Sequence, residues 1–159
     1  MSRRPIVQST SVFLAITLVA AGLSSGACDF GRDPLLKTLE AHPDDVVPAR
    51  LYDSGATGMA VICPYQPRAA VDEVLGGVPH RDIPEAGLLD DSNAIGIVKP
   101  SGRTIIKRFG RSKVDLCSRP VDLKLYPGGT RATFEDRGGT FTLVALDPEN
   151  TEDLDPTGQ

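Results

Sequence analysis

The 159-residue chain carries a net charge of −4, has no Trp, and is only 5% aromatic. The acidic balance argues against a nucleic-acid-binding protein, which would present a basic face to the phosphates. The scarcity of aromatic rings argues against a saccharide-binding platform, since such platforms stack sugars on exposed rings. Tyr52 and Tyr65 are the aromatic side chains that we expect nearest the surface.

The N-terminal segment has the three-part layout of a secretory signal peptide. Arg3 and Arg4 form a positively charged start, an apolar run occupies residues 12–21, and small residues follow as far as Ala27. A membrane-spanning helix needs about 20 mostly apolar residues, and polar residues dilute both ends of this run. We therefore predict that residues 1–27 are a signal peptide that is removed during export.

The four residues around the expected cleavage site, Ser25-Gly26-Ala27-Cys28, resemble the lipobox of bacterial lipoproteins. In that family, small residues precede a cysteine that receives diacylglycerol and becomes the mature N-terminus. Ser25 departs from the pattern, because the family prefers Leu or another aliphatic residue there. The resemblance implies lipidation of Cys28, an extra acyl chain such as palmitate, a lipidated tether over residues 28–32 and attachment to a membrane of the cell envelope.

Other fates of the N-terminus stay open. An ordinary signal peptidase would also cut before Cys28 and leave a freely secreted protein, in which an unlipidated Cys28 could pair between chains. An uncleaved anchor is the remaining alternative. Residues 2–7 resemble a twin-arginine export motif, so the export route has two candidates.

The expected state of the three cysteines follows from the assignment of the signal peptide and the lipobox-like residues. Removal of residues 1–27 leaves 132 residues, enough for one domain, and takes away only Arg3 and Arg4 among the charges, for a net of −6. If Cys28 carries lipid, Cys63 and Cys117 remain as a pair in an oxidising compartment, where a structural disulfide is expected. The alternative is a reactive thiol at Cys63 with His80 or His42 as its base.

The first half of the exported chain contains one clear helix. Residues 33–42 have Asp33 as a cap, Pro34 at the first helical position and Leu side chains on one face. Residues 44–58 lack periodicity and are predicted to be loop, with at most a short strand around residues 46–51. Residues 58–63 form the first predicted strand, whereas residues 71–75 are ambiguous between a strand and one helical turn.

The second half predicts short strands separated by turns. The predicted strands are residues 94–98, 103–109, 114–117, 121–126, 130–134 and 140–146. Their spacing is typical of an all-β fold, mainly an antiparallel sandwich or barrel of about seven strands. We therefore predict a single β-rich domain over residues 33–146 with one short N-terminal helix, followed by an acidic disordered tail over residues 147–159.

A long loop between the predicted strands is the candidate contact surface. Residues 79–93 are rich in Pro, Gly, Asp and Asn, which is typical of a surface loop. Loops of this length without secondary structure are uncommon and often functional. The side chains that we expect to make contacts are His80, Arg81, Asp82, Glu85, Asp90 and Asp91.

Evidence for catalysis or for a metal is weak in the sequence. We assign no catalytic residue, no metal ligand and no cofactor; His80 with Asp82 or Glu85 is the one acid–base pair to weigh. A calcium loop starting at Asp91 fails because Ile95 occupies a ligand position. Basic residues within 103–119 could meet anionic lipids or envelope polymers, but the strand alternation places them on no single face.

These features together predict an exported lipoprotein that acts as a binding or scaffolding module in the cell envelope. Its expected partners are the membrane, through the lipid anchor, and an unknown protein or envelope polymer, with no nucleic acid. By analogy at the level of the class, exported and anchored β domains without catalytic residues more often bind or scaffold than catalyse reactions. The alternatives are a freely secreted, inhibitor-like β protein and a small hydrolase that uses His80.

Overall fold

A computed structural model describes residues 32–148 of the chain. The expected signal peptide, Cys28, nearly all of the tether and the segment after residue 148 lie outside the described residues. The described part contains three helices and seven strands: α1 Pro34–Ala41, α2 Pro48–Tyr52, β1 Gly58–Ile62, α3 Arg68–Val74, β2 Ser92–Val98, β3 Thr104–Gly110, β4 Val114–Asp115, β5 Tyr126–Pro127, β6 Arg131–Asp136 and β7 Phe141–Asp147.

The first helix forms as predicted. The carboxylate of Asp33 accepts a hydrogen bond from the Leu35 amide at 2.8 Å, and Pro34 begins the helix. Leu35 and Leu39 are fully buried. The Tyr52 hydroxyl donates to the same Asp33 carboxylate at 2.5 Å, which fastens α1 to α2. Tyr52 is half-buried, and this burial together with the Asp33 hydrogen bond raises the pKa of its phenol.

The segment after α1 differs from the prediction. Residues 48–52 are helical, where we expected a loop or a short strand, because Pro48 suits the first turn of a helix and Ala49 packs into the core. Only Val46 makes a strand-like contact, an isolated antiparallel bridge with Ala132.

The strands form two separate sheets, which confirms a sheet-rich and mainly antiparallel fold. The first sheet has the order β3-β2-β1-β5, and the second has the order β4-β7-β6. The predicted hairpin of β2 and β3 is present, with Ile97 opposite Ile105. In the second sheet β6 and β7 are antiparallel, whereas β4 runs parallel to β7. Within residues 32–148 neither sheet closes into a barrel.

The predicted strand over residues 121–126 is wrong. Only Tyr126 and Pro127 pair with β1. The alternating apolar residues suggested a strand, but Val121 packs against one core cluster, Leu123 packs against the other, and Leu125 is exposed. The alternating side chains therefore do not share a face. At the C-terminal end, β7 reaches Asp147, one residue into the segment that we expected to be a disordered tail.

Strand β1 is buried on both faces and separates two apolar clusters. Met59 and Val61 point into a larger cluster that includes residues of α1 and of the second sheet. Ala60 and Ile62 point into a smaller cluster with Val71 of α3. The strand therefore reads as an uninterrupted apolar run, as strands covered on both faces do.

The predicted disulfide between Cys63 and Cys117 is present, with the two Cα atoms 5.7 Å apart. Cys63 directly follows β1, and Cys117 lies two residues after the end of β4, so the bond joins the two sheets. The alternative of a reactive thiol at Cys63 is wrong, because that sulfur is bonded. None of the helices between residues 32 and 148 is both long and apolar enough to cross a membrane.

The disulfide allows a stability prediction. It closes a segment with a sequence separation of 54 residues, so its removal should lower the free energy of unfolding by about 4 kcal/mol on the chain-entropy model. Urea unfolding with and without reductant, in a Cys28→Ser background, measures this loss.

The matched control is the double variant Cys63→Ser/Cys117→Ser in the same background. Reductant should leave its unfolding midpoint unchanged. An equal response of both proteins to reductant would contradict the assignment of the loss to this bond.

Candidate functional site

We expected residues 79–93 to be a surface loop, but two of its side chains are buried in the core. Ile83 and Leu88 are fully buried in the smaller cluster, where Val71 and Ala60 contact the same group of side chains. Its last two residues already belong to β2, and Asn93 is buried. Two buried anchors fix the middle of the loop, so its exposed side chains are held by a packed backbone.

His80 fastens the start of the loop to α3. Its backbone N–H donates to Oδ1 of Asp72 at 2.9 Å, and its ring Nδ1 lies 2.8 Å from the same oxygen. His80 is buried, and its acidic partner is Asp72, not Asp82 or Glu85 as expected. Because an ionised carboxylate only accepts hydrogen bonds, Nδ1 carries the proton.

The surroundings of Asp72 favour the ionised form of its carboxyl group. Burial raises its pKa, but the hydrogen bonds from the His80 amide and ring, with the positive charge of Arg68, outweigh burial and leave the pKa below its ordinary value. Arg68 also pairs with Glu85, Nη2 to Oε1 at 3.0 Å, and its amide donates to the Glu85 carbonyl at 3.2 Å. The start of α3 thus holds a second point of the loop.

Arg111 holds the far end of the loop. Its guanidinium donates to the Asp90 carbonyl at 3.1 Å and pairs with both carboxylate oxygens of Asp115 at 3.1 Å. Burial raises the pKa of Asp115, but its hydrogen bonds from Arg111, Ser118 and the Cys117 amide outweigh this and lower it. The Asp115 carboxylate also accepts a hydrogen bond from the Cys117 amide at 2.9 Å, which ties the end of the loop to the disulfide.

A tight turn next to Cys63 packs directly against this loop. The Gln66 amide donates to the Cys63 carbonyl at 3.5 Å, and the Gln66 side chain accepts from the Cys63 amide at 2.8 Å. Tyr65 has a φ of 62°, the only positive value at a non-glycine residue between residues 32 and 148. Its amide donates to the Leu88 carbonyl at 2.9 Å. Turn and loop therefore form one unit.

Gly87 makes this close packing possible. Its φ is 93°, and a Cβ there would lie 2.5 Å from the Gln66 carbonyl oxygen. A larger residue would therefore have to push the two backbones apart.

The unit displays two apolar side chains to solvent. Tyr65 is 65% exposed, and Leu89, the residue after the buried Leu88, is 67% exposed. We name Tyr65 and Leu89 the apolar knob. Tyr65 was expected to lie near the surface, whereas its backbone conformation and the exposure of Leu89 were missed. A proline on each side of Tyr65-Gln66 was the only sequence signal for a turn.

The remaining predicted contact residues lie around the loop without forming one cluster. Arg81 and Asp82 are exposed and line an open cavity of about 430 Å³ that the loop shares with the β2–β3 turn. Asp91 is exposed at the start of β2. Of the six predicted residues, His80 is a buried anchor, Glu85 and Asp90 are paired with arginines, and the other three face solvent.

Three of the basic residues between 103 and 119 make contacts within the chain. Arg111 is bound to Asp115, Lys107 lies 5.1 Å from the centre of the Tyr52 ring, and Arg119 donates to the Val144 carbonyl. In the part of the chain that the structure describes, no three His, Cys, Asp or Glu side chains are grouped so that they could hold a metal ion.

Comparison of the chain with protein-family models, with curated proteins and with solved structures gave no match.

The Asp72–His80 contact predicts a pH-dependent stability difference. Asp72→Asn should lower the free energy of unfolding near neutral pH by about 1 to 2 kcal/mol, since it removes a charged acceptor. Because the pKa of Asp72 is lower in the folded than in the unfolded chain, this contribution is present above the ordinary Asp value and is lost as pH falls through the folded value.

Urea unfolding of both proteins from about pH 7 to about pH 2 measures the difference, which should shrink below about pH 4. Asp82→Asn, at an exposed position in the same loop, is the control and should change little at any pH. A difference for Asp72→Asn that stays constant down to the lowest pH would contradict the mechanism.

Gly87→Ala should destabilise the protein by about 2 to 4 kcal/mol, because the added Cβ meets both an unfavourable φ and the Gln66 backbone. Gly102→Ala is a matched control: its φ is also positive, at 76°, but nothing lies within 4 Å of the new Cβ, so about 1 kcal/mol is expected. Equal losses in denaturant unfolding would show that the contact with Gln66 carries no weight.

Proposed function

We propose that this chain is an exported bacterial lipoprotein, acylated at Cys28, that works as a binding or scaffolding module at a membrane of the cell envelope. Its partners would be the membrane, through the lipid, and a protein or envelope polymer, through the unit formed by residues 63–67 and 79–93. We also infer that the two sheets pack face to face as a sandwich, because Ile97 of the first sheet and Phe134 of the second belong to one core cluster.

The disulfide carries this proposal. The chain has three cysteines, and Cys63 is bonded to Cys117, which leaves Cys28 as the one cysteine without a cysteine partner in the chain. Structural disulfides form and persist in oxidising compartments, which supports export. The remaining cysteine is the one that follows the lipobox-like residues 25–27, which supports acylation.

The loop supports binding over catalysis. The hydrogen bonds between His80 and the Asp72 carboxylate hold the backbone of the loop in place. The exposed side chains of the unit include two large apolar ones, Tyr65 and Leu89. Exposed apolar side chains on a fixed backbone are typical of contact sites. A lipid at Cys28 would concentrate such a site at the membrane surface.

A small hydrolase is the second candidate function. The observation in its favour is the Asp72–His80 pair, because a carboxylate on Nδ1 fixes the tautomer of a histidine base, and an open cavity lies beside it. Hydrolysis of p-nitrophenyl esters by the wild-type protein and by His80→Ala tests it. Equal rates would exclude a catalytic role for His80 on such esters.

Intact mass of the protein from membrane fractions of a bacterial host tests the lipoprotein proposal. We expect residues 28–159 with diacylglycerol, with or without a further acyl chain, and with two hydrogens fewer for the disulfide. Cys28→Ser should lose the lipid and leave the membrane fraction or remain unprocessed. Cys63→Ser/Cys117→Ser is the matched control and should keep the lipid.

Two outcomes would contradict the proposal. A product that starts at Cys28 without lipid, especially as a dimer that reductant dissociates, would identify a freely secreted protein. A full-length protein with three reduced thiols in the cytosol would overturn both export and anchoring.

A further inference from the structure

We propose that the apolar knob of Tyr65 and Leu89 docks into an apolar pocket of a partner protein whose rim carries Lys or Arg side chains. The inference rests on the proposed function as a binding module and names the class of partner for it.

The backbone at Tyr65 is the first observation. Pro64 and Tyr65 occupy the two central positions of a turn, and the second of them has a φ of 62°. Turns of this kind favour Gly or Asn there, because a Cβ crowds the backbone in the left-handed region. Neither the turn nor the core calls for Tyr, since the side chain is mostly in solvent. Residues in such unfavourable conformations concentrate at binding and catalytic sites.

The rigidity of the turn is the second observation. The disulfide at Cys63, the Gln66 hydrogen bond to the Cys63 amide, and the Leu88 carbonyl that accepts from Tyr65 all restrict its backbone. A fixed backbone loses little conformational entropy when a partner binds. A Tyr ring then offers a large contact area at a low cost in side-chain freedom.

The charge around the knob determines the kind of partner. Glu85 and Asp90 have side chains that are 88% and 77% exposed, whereas the arginines that pair with them, Arg68 and Arg111, are only 28% and 25% exposed. The acidic side chains are therefore much more exposed than the basic side chains that pair with them.

Asp91 adds a further exposed carboxylate directly after Asp90. With the exposed Arg81 included, the loop of residues 79–93 carries four exposed carboxylates against one guanidinium. This acidic excess favours a basic partner surface and disfavours anionic headgroups or polymers.

A random dodecapeptide library displayed on phage, selected against the full-length Cys28→Ser chain, tests the proposal. We expect enriched peptides that combine large apolar residues with flanking Lys or Arg and that bind more weakly as salt is raised. Tyr65→Gly and Leu89→Ser should each weaken binding at least tenfold.

Two controls should retain binding within about twofold. Tyr65→Phe keeps the ring. Leu125→Ser removes an exposed apolar side chain beside Gly58, at the opposite end of β1 from the turn.

Thermal unfolding separates a contact role from a structural one. Because Gly suits the left-handed position, Tyr65→Gly should melt at or above the wild-type temperature while losing peptide binding. A lower melting temperature would show that the ring supports the fold and would overturn the proposal. So would the absence of basic, apolar peptides from the selection.

Other occupants have their own readouts, each of which would overturn the proposal. Vesicles of phosphatidylglycerol that bind in a Tyr65-dependent way would identify a membrane contact, and Tyr65-dependent dimers in sedimentation would identify a second copy of the chain. Because the Cys28→Ser chain cannot be acylated, these results are independent of the mass measurement, so failure of the anchor and failure of the knob are distinguishable.

Discussion

The covalent link between the end of β1 and the end of β4 is the constraint on which the rest of the structure depends. The two sheets share no strand, and the disulfide joins them beside the larger core cluster. Cys63 is the first residue of the turn that carries Tyr65. Cys117 donates a hydrogen bond to Asp115, and Asp115 pairs with Arg111, which binds the end of the loop. One bond therefore connects the packing of the sheets with the geometry of the candidate contact site.

Local signals in the sequence predicted the elements that local interactions build. Asp33 and Pro34 marked the start of α1, and the Pro-Gly turn between β2 and β3 marked the hairpin. Failures occurred where distant contacts decide. The five residues of α2 are too few to show a period, and the alternation at residues 121–126 combined side chains that belong to different clusters. Alternation predicts a strand only when its apolar residues share one face.

The candidate site was less predictable than the fold. The loop of residues 79–93 was identified from its length and turn residues, but the choice of Asp72 as the partner of His80 depends on the loop returning to α3. The left-handed backbone of Tyr65 also could not be predicted from the sequence, because turns of this kind favour Gly or Asn at that position. Such disagreements between local preference and observed structure are expected at functional or strained sites.

The position of the turn relative to Cys63 links display of the site to oxidation. A nascent chain with free thiols lacks the bond between Cys63, the first residue of the turn, and Cys117, whose amide donates to Asp115. In the oxidised protein the bond adds a covalent constraint to the hydrogen bonds that hold the turn, so oxidation of the two thiols and rigid display of the Tyr65 ring are coupled.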